Sequence, residues 1–257
     1  MLQFTRWAVT MSQNLLSLLK VGKYIRSGMA VLAPQTCLLC GAEGERTICS
    51  GCNQQFFSIA PHRCRSCALP LRAGEIVCGQ CLSDPPAFQG TTVACDYQAP
   101  LDQLVLALKF GHELALAPTL AQLLAKSVVN SVPSNLPDYL IPVPLSRSRL
   151  AERGFNQALE IARPLARQLN LPVYPRLLQR VRDTTAQTLL HPNQRRKNIR
   201  HAFSLNDSYT DRIPGKHVGV VDDVMTTGAT LDEIAACLKR HGASRVSNFV
   251  FARTPPH

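Results

Sequence analysis

Over the last two-thirds of the chain, apolar residues fall into two alternating rhythms. In "LDQLVLALKFGHELALAPTLAQLLAKSV" they recur every three to four positions, which predicts helix, broken near Gly111 and Pro118. "DYLIPVPLS" is a short unbroken apolar run ending in prolines, the pattern of a buried strand and a turn. Helical spacing returns in "FNQALEIARPLARQLN", with Pro164 as a point of bending. "RLLQRV" and "HVGVVDD" read as strands, "TLDEIAACLKRHGA" as a helix closed by Gly242, and "RVSNFVFAR" as a final strand. Strand and helix alternating in this way predict a parallel α/β sheet, with its ligand site at the carboxyl ends of the strands.

The first third lacks that rhythm. Residues 1–36 hold Arg6, Lys20, Lys23 and Arg26 and no acidic residue. Leu15, Leu18, Leu19 and Ile25 are spaced for a short basic amphipathic helix facing a membrane surface or a partner, and translation starting at Met11 or Met29 is the other reading of this extension. The start has no continuous apolar core of a secretory signal, and no run approaches the ~18 apolar residues of a membrane span. A formal net charge of +11 over 257 residues favours a polyanionic partner, and the expected compartment is the cytoplasm.

Residues 37–82 are expected to form a separate small domain, because four Cys-x-x-Cys pairs dominate them: Cys37/Cys40, Cys49/Cys52, Cys64/Cys67 and Cys78/Cys81. Each pair sets two thiolates on one tight turn, and two turns complete a tetrahedral Zn²⁺ site. Eight ligands make two all-thiolate, closed and therefore structural zinc sites, most simply paired in sequential order, with an interleaved cross-brace as the alternative. A redox role needs a βαβ context that these turn-rich segments lack. Cys95 and Cys237 stand outside the pattern, and Cys237, among Ile234, Ala235 and Leu238, is expected in the core.

"VVDDVMTTGAT", Val220–Thr230, carries the densest chemistry. After an apolar strand, Thr226, Thr227, Gly228, Ala229 and Thr230 are expected to turn into a helix from Leu231. Backbone N–H groups at that helix start would face an anion. Gly228 admits close approach, and the threonines add hydroxyl donors. Asp222 and Asp223 suit vicinal sugar hydroxyls, directly or through Mg²⁺. The ligand expected from these residues carries both a polyol and a phosphate.

At this point the chain resembles the phosphoribosyltransferases, whose phosphoribosyl pyrophosphate (PRPP) signature is two aliphatics, two acids, two variable residues and Thr-Thr-Gly-x-Thr. "LKF" at 108–110, "PVPL" at 142–145, "ERGFNQA" at 152–158 and "RRKN" at 195–198, with the cysteine pairs, resemble the ComF family of competence proteins, its GntX-like branch in particular. That resemblance implies a double zinc ribbon followed, over 83–257, by a type I phosphoribosyltransferase-like domain of parallel α/β architecture, and a role with incoming DNA or DNA as nutrient. It also implies PRPP with Mg²⁺ at Asp222–Thr230 and a pyrophosphate loop at Pro144, Leu145, Ser146 and Arg147. Arg153 and Gln157 are further anion-binding candidates. Lys109 either reaches the site or snorkels along its helix. Residues 180–200 correspond to the mobile loop of such enzymes.

That loop is also the most basic stretch. Between Arg176 and Arg200 seven basic residues (176, 180, 182, 195, 196, 197 and 200) face Asp183 alone. Arg195, Arg196, Lys197 and Arg200 are thus expected to meet anions, pyrophosphate or single-stranded DNA. Only four residues follow the final strand, so the base-recognising hood of phosphoribosyltransferases is not expected there, and the ribbon is a candidate to stand in its place. Two functions follow. One is a DNA-uptake or DNA-use factor that handles single strands, binds PRPP and meets other competence proteins. The other is a Mg²⁺-dependent phosphoribosyltransferase of unknown acceptor. Aromatic residues at 6% leave few stacking platforms for the first.

Overall fold

The computed structural model describes residues 35–44, 46–57, 62–131, 135–182 and 199–256. Arg195, Arg196, Lys197 and nearly all of the basic extension lie outside them. Contacts divide the chain into two compact units, Met1–Cys49 and Ser50–His257. In the first, β1 (Gln35–Thr36) and β2 (Glu43–Gly44) form an antiparallel pair around the Cys37/Cys40 turn.

The second unit opens with two short helices, α1 (Ser50–Phe57) and α2 (Gly79–Ser83). Its sheet comprises β3 (Gly90–Asp96), β4 (Tyr139–Pro142), β7 (His217–Met225) and β8 (Arg245–Arg253), all parallel, in the order β3-β8-β7-β4. A two-stranded antiparallel piece, β5 (Leu178–Arg180) with β6 (Phe203–Leu205), stands beside it. The central strands β7 and β8 are buried almost throughout, as their Val- and Phe-rich composition requires when helices cover both faces. At Gly219 a Cβ would meet Leu140, Pro137 and Phe249 at 2.5–2.8 Å, so no larger residue fits at that point.

The expected helix between 101 and 128 is two: α3 (Asp102–Phe110) and, after a 3₁₀ turn, α4 (Ala117–Ser131). Gly111 interrupts them as expected, whereas Pro118 begins α4 instead of breaking it, because the first turn needs no proline N–H. Two helices replace the single one expected after β4: α5 (Arg147–Arg153), ended by Gly154 in the left-handed region, and α6 (Gln157–Leu169), capped by Asn156. The helix expected from Leu231 starts two residues earlier, as α7 (Ala229–Arg240). Edge strand β3, not anticipated, reads as mixed polar "GTTVACD", because only alternate side chains enter the core. Among the described residues no helix is long and apolar enough to cross a membrane.

One core holds most of the second unit together. Cys64, Cys67, Ala68, Cys81 and Phe88 share a buried cluster with Val220, Met225, Leu231, Ile234 and Val250. The second cysteine turn is therefore packed into the core of the sheet's own unit. Cys237 is buried at 2% exposure, as expected, and so is Cys95 at 3%.

Candidate functional site

The carboxyl ends of β4 and β7 frame a cavity of about 250 Å³. It gathers Asp222, Asp223, Thr226 and Thr230 from the β7–α7 connection, Pro144 and Leu145 after β4, Lys109 from α3, and Arg153 and Gln157 from α5 and α6. Residues dispersed over more than a hundred positions thus meet where an open parallel sheet places its ligands. The cavity also takes in Tyr97, Arg149 and Arg180. Arg149 was missed, although it stands four residues before Arg153, the spacing of neighbours on one helical face.

Charge is sharply divided in this cavity. The Asp223 N–H donates to Asp222 Oδ1 at 2.9 Å, and Lys109 Nζ forms an ion pair with Asp223 Oδ2. Burial first, and the Asp223 charge second, push the Asp222 carboxyl well above the usual range. The Arg153 guanidinium lies 5.4 Å over the Phe110 ring, which presents it toward the carboxylates. Gln157 is 3% exposed, and its Oε1 has no hydrogen-bond partner among the described residues.

The turn after β7 is shaped by one glycine. Gly228 caps α7 with φ +84°, and a Cβ there would meet Met225 Cε at 2.5 Å. Thr227 Oγ1 accepts from Ala229 N at 3.4 Å. Thr227, Gly228 and Ala229 line the other side of the turn, a cavity of about 230 Å³ shared with Cys67, Cys81, Phe88 and Arg253. Ser146 is 3% exposed and caps α5, its hydroxyl accepting from Arg149 N at 3.4 Å and lying 3.0 Å from Ser148 Oγ. Arg147 faces a neighbouring cavity with Arg176 and Arg180. Exposed Arg200 offers its carbonyl to Arg182 Nη1 at 3.0 Å.

Behind the turn lies a residue with no signal in the sequence. The buried Arg253 guanidinium donates to the carbonyls of Cys67 at 2.9 Å, Met225 at 3.1 Å, Thr254 at 2.6 Å and Thr226. It ties the second cysteine turn to the backbone that presents Thr226. We expect Arg253→Met to cost about 3–5 kcal/mol, since up to four carbonyls lose a charged donor. Chemical denaturation checks this, and a loss below 1 kcal/mol would contradict it.

The eight paired cysteines form the two sets expected: Cys37, Cys40, Cys49 and Cys52, and Cys64, Cys67, Cys78 and Cys81, with the sulfurs of each set within 4.8 Å of one another. Their grouping is sequential, so cross-bracing is excluded. A tetrahedron of Zn–S bonds of ~2.3 Å has edges of roughly 3.8 Å. Cys40 and Cys49 lie 3.7 Å apart and Cys67 and Cys78 3.6 Å, which fits that metal and no disulfide. In each set the N–H of the third cysteine donates to the sulfur of the first, at 3.3 Å. Burial raises the Cys64 thiol, but the N–H groups of Cys67 and Cys78 outweigh it and draw the group down to about 7. Cys67, where burial prevails, stands at about 11.

Models of two known families match the chain: the double zinc ribbon domain over residues 29–82 and the phosphoribosyl transferase domain over 156–256. The DNA utilization protein YhgH of Escherichia coli O157:H7 is 36% identical over 227 residues, 86% of this chain and 98% of that protein. Competence protein F of Haemophilus influenzae is 35% identical over 209 residues, 80% of this chain and 90% of that one. A hypoxanthine phosphoribosyltransferase from Trypanosoma cruzi is a looser likeness, 16% identical with a TM-score of 0.35, covering 54% of this chain and 77% of that structure. Fold and site thus define a phosphoribosyltransferase-type α/β protein joined to a double zinc ribbon. Within that class, the chain belongs to the ComF family of competence and DNA utilization proteins.

Proposed function

We propose that this protein binds PRPP with Mg²⁺ in the Asp222/Asp223 cavity and serves competence or the nutritional use of DNA by handling single strands in the cytoplasm. The observation that carries the proposal is the convergence of two carboxylates, a basic rim and a helix start around one cavity. Asp222 and Asp223 take the ribose hydroxyls, the 226–230 turn takes the 5′-phosphate, and the backbone of the Pro144–Arg147 loop with the Arg149 and Arg153 guanidinium groups takes the pyrophosphate. Mg²⁺ fits this donor set, because hard cations need oxygen ligands and one carboxylate oxygen here already holds an ammonium. When bound, Mg²⁺ neutralises the pyrophosphate. Two structural zinc ions hold the ribbon. The test is thermal: PRPP with Mg²⁺ raises the melting temperature of the wild type by mass action, and no shift at millimolar PRPP overturns the proposal.

Lys109 acts as a resident counter-ion for Asp223, a place that Mg²⁺ can take. In Lys109→Met the carboxylates lose that cation, so Mg²⁺ alone stabilises the variant more than the wild type. Equal responses in differential scanning calorimetry would show that Lys109 does not hold the cation's place.

Single strands meet the basic stretch. Replacing Arg195, Arg196, Lys197 and Arg200 by Gln removes up to four phosphate contacts, and at roughly 0.7 per contact the slope of log K against log salt flattens by up to ~3. Unchanged affinity and slope for oligothymidylate would remove this stretch from the DNA surface. The second reading, a phosphoribosyltransferase of unknown acceptor, is favoured by the completeness of the PRPP half of the site. Pyrophosphate release on a panel of bases decides it.

A further inference from the structure

At the opposite end of the sheet, where β3 and β8 begin, lies a larger cavity of about 500 Å³. Arg63 and Arg65 border it from the second ribbon, Lys126 from α4 and Arg245 from the first position of β8. Among the described residues no acidic side chain lines it. Arg63 is compensated by Asp96 at 2.8 Å, whereas Arg65, Lys126 and Arg245 have no ion pair among the described residues. Arg245 Nε is buried with no hydrogen-bond partner among the described residues. Buried donors are almost always satisfied, so an orphan guanidinium nitrogen beside an electropositive cavity marks a place for an acceptor from outside. The Arg245 charge also reaches His217, which burial and then that charge hold below the usual imidazole range.

We propose that this cavity is a second anion site, for the phosphate of a nucleotide, separate from the Asp222/Asp223 cavity. Uncompensated cations suit phosphate oxygens, and guanidinium forks match them in geometry. The volume falls in the range of nucleotide sites, and Phe57 offers the lining an aromatic face for a base. The phosphate has two sources, a free mononucleotide or one nucleotide of a single strand; only the second rests on the DNA-handling reading above.

The test uses the full-length, zinc-loaded protein and two probes, thymidine 5′-monophosphate and fluorescein-labelled oligothymidylate. Lys126→Gln with Arg245→Gln keeps a polar, hydrogen-bonding side chain at each position and removes two charges. If the site takes free nucleotide, the variant loses about tenfold or more of its affinity for the monophosphate. If it takes a strand, the oligomer alone weakens, and its salt slope flattens by roughly 1.4 for two lost contacts. The thermal shift with PRPP stays as in wild type in either case. Lys126→Gln alone, at an exposed helix position, repeats the measurement with half the effect should the double variant fold poorly. The proposal is overturned if the wild type binds neither probe, or if both probes bind the variants as they bind wild type. Oligomer binding that survives in the variants, with monophosphate binding absent or equally unchanged, sinks this site but leaves DNA handling standing. Monophosphate binding lost in the variants, with no oligomer binding in wild type, does the reverse.

Discussion

Replacing Cys64 and Cys67 together by serine is expected to unfold the whole unit Ser50–His257, and not the second cysteine turn alone. Both residues lie in the same buried cluster as Val220, Met225, Ile234 and Val250. The Cys67 carbonyl also receives Arg253, which in turn holds the backbone at Met225 and Thr226. A structural zinc site contributes an apparent ~10–16 kcal/mol, as much as the entire ~5–15 kcal/mol stability of an ordinary domain. The variant should therefore lose its cooperative melting transition by circular dichroism and bind at most one zinc ion by native mass spectrometry, against two in wild type. Chelation of wild type should have the same effect on the sheet. A variant that keeps its transition within about 3 °C of wild type would show that the second ribbon is dispensable to the sheet.

Replacing Asp222 and Asp223 together by asparagine should abolish PRPP binding while the fold survives. Asparagine keeps the shape but neither accepts strongly from sugar hydroxyls nor attracts Mg²⁺. The cost to the free protein is small. The variant loses the Asp223 ion pair with Lys109, but it also loses the charge repulsion and the cost of burying a charge that raise Asp222. In wild type, PRPP at a hundred times its Kd adds about 2.7 kcal/mol, a shift of about 5–10 °C for a unit of this size. The variant should show less than about 1 °C and bind oligothymidylate at least as well as wild type, having shed negative charge. A full PRPP shift in the variant would move the ligand away from these carboxylates.

The cysteine ligand sets, the turn at Thr226–Thr230 and most of the parallel strands were legible because each is encoded locally. Cys-x-x-Cys sets two thiols on one turn without help from elsewhere. Gly228 is demanded by a positive φ and by the closeness of Met225, both within a few residues. Period-3.6 and buried-run patterns carry their own burial, which is why Arg245–Arg253 was read at its full length. Edge strand β3 escaped because "GTTVACD" buries little of its own surface and owes its conformation to pairing with β8.

What tertiary structure alone decided are the relations between distant segments. No spacing in the sequence could bring Lys109 onto Asp223, 114 positions away, or choose that pairing over a snorkelling lysine. Ser146 reads as a phosphate donor in its motif, yet the fold turns its hydroxyl to the start of α5. In the sequence Arg253 is marked only as the last residue of a predicted strand. In the fold it is 5% exposed, because a carbonyl from the second ribbon and three from the ends of β7 and β8 surround it. Arg65, Lys126 and Arg245 likewise share a cavity only because a ribbon turn, a helix and the first residue of a strand meet at one end of the sheet. Local chemistry sets which conformations a segment can hold; long-range packing sets which charges must share a space, and that second choice is a property of the assembled core.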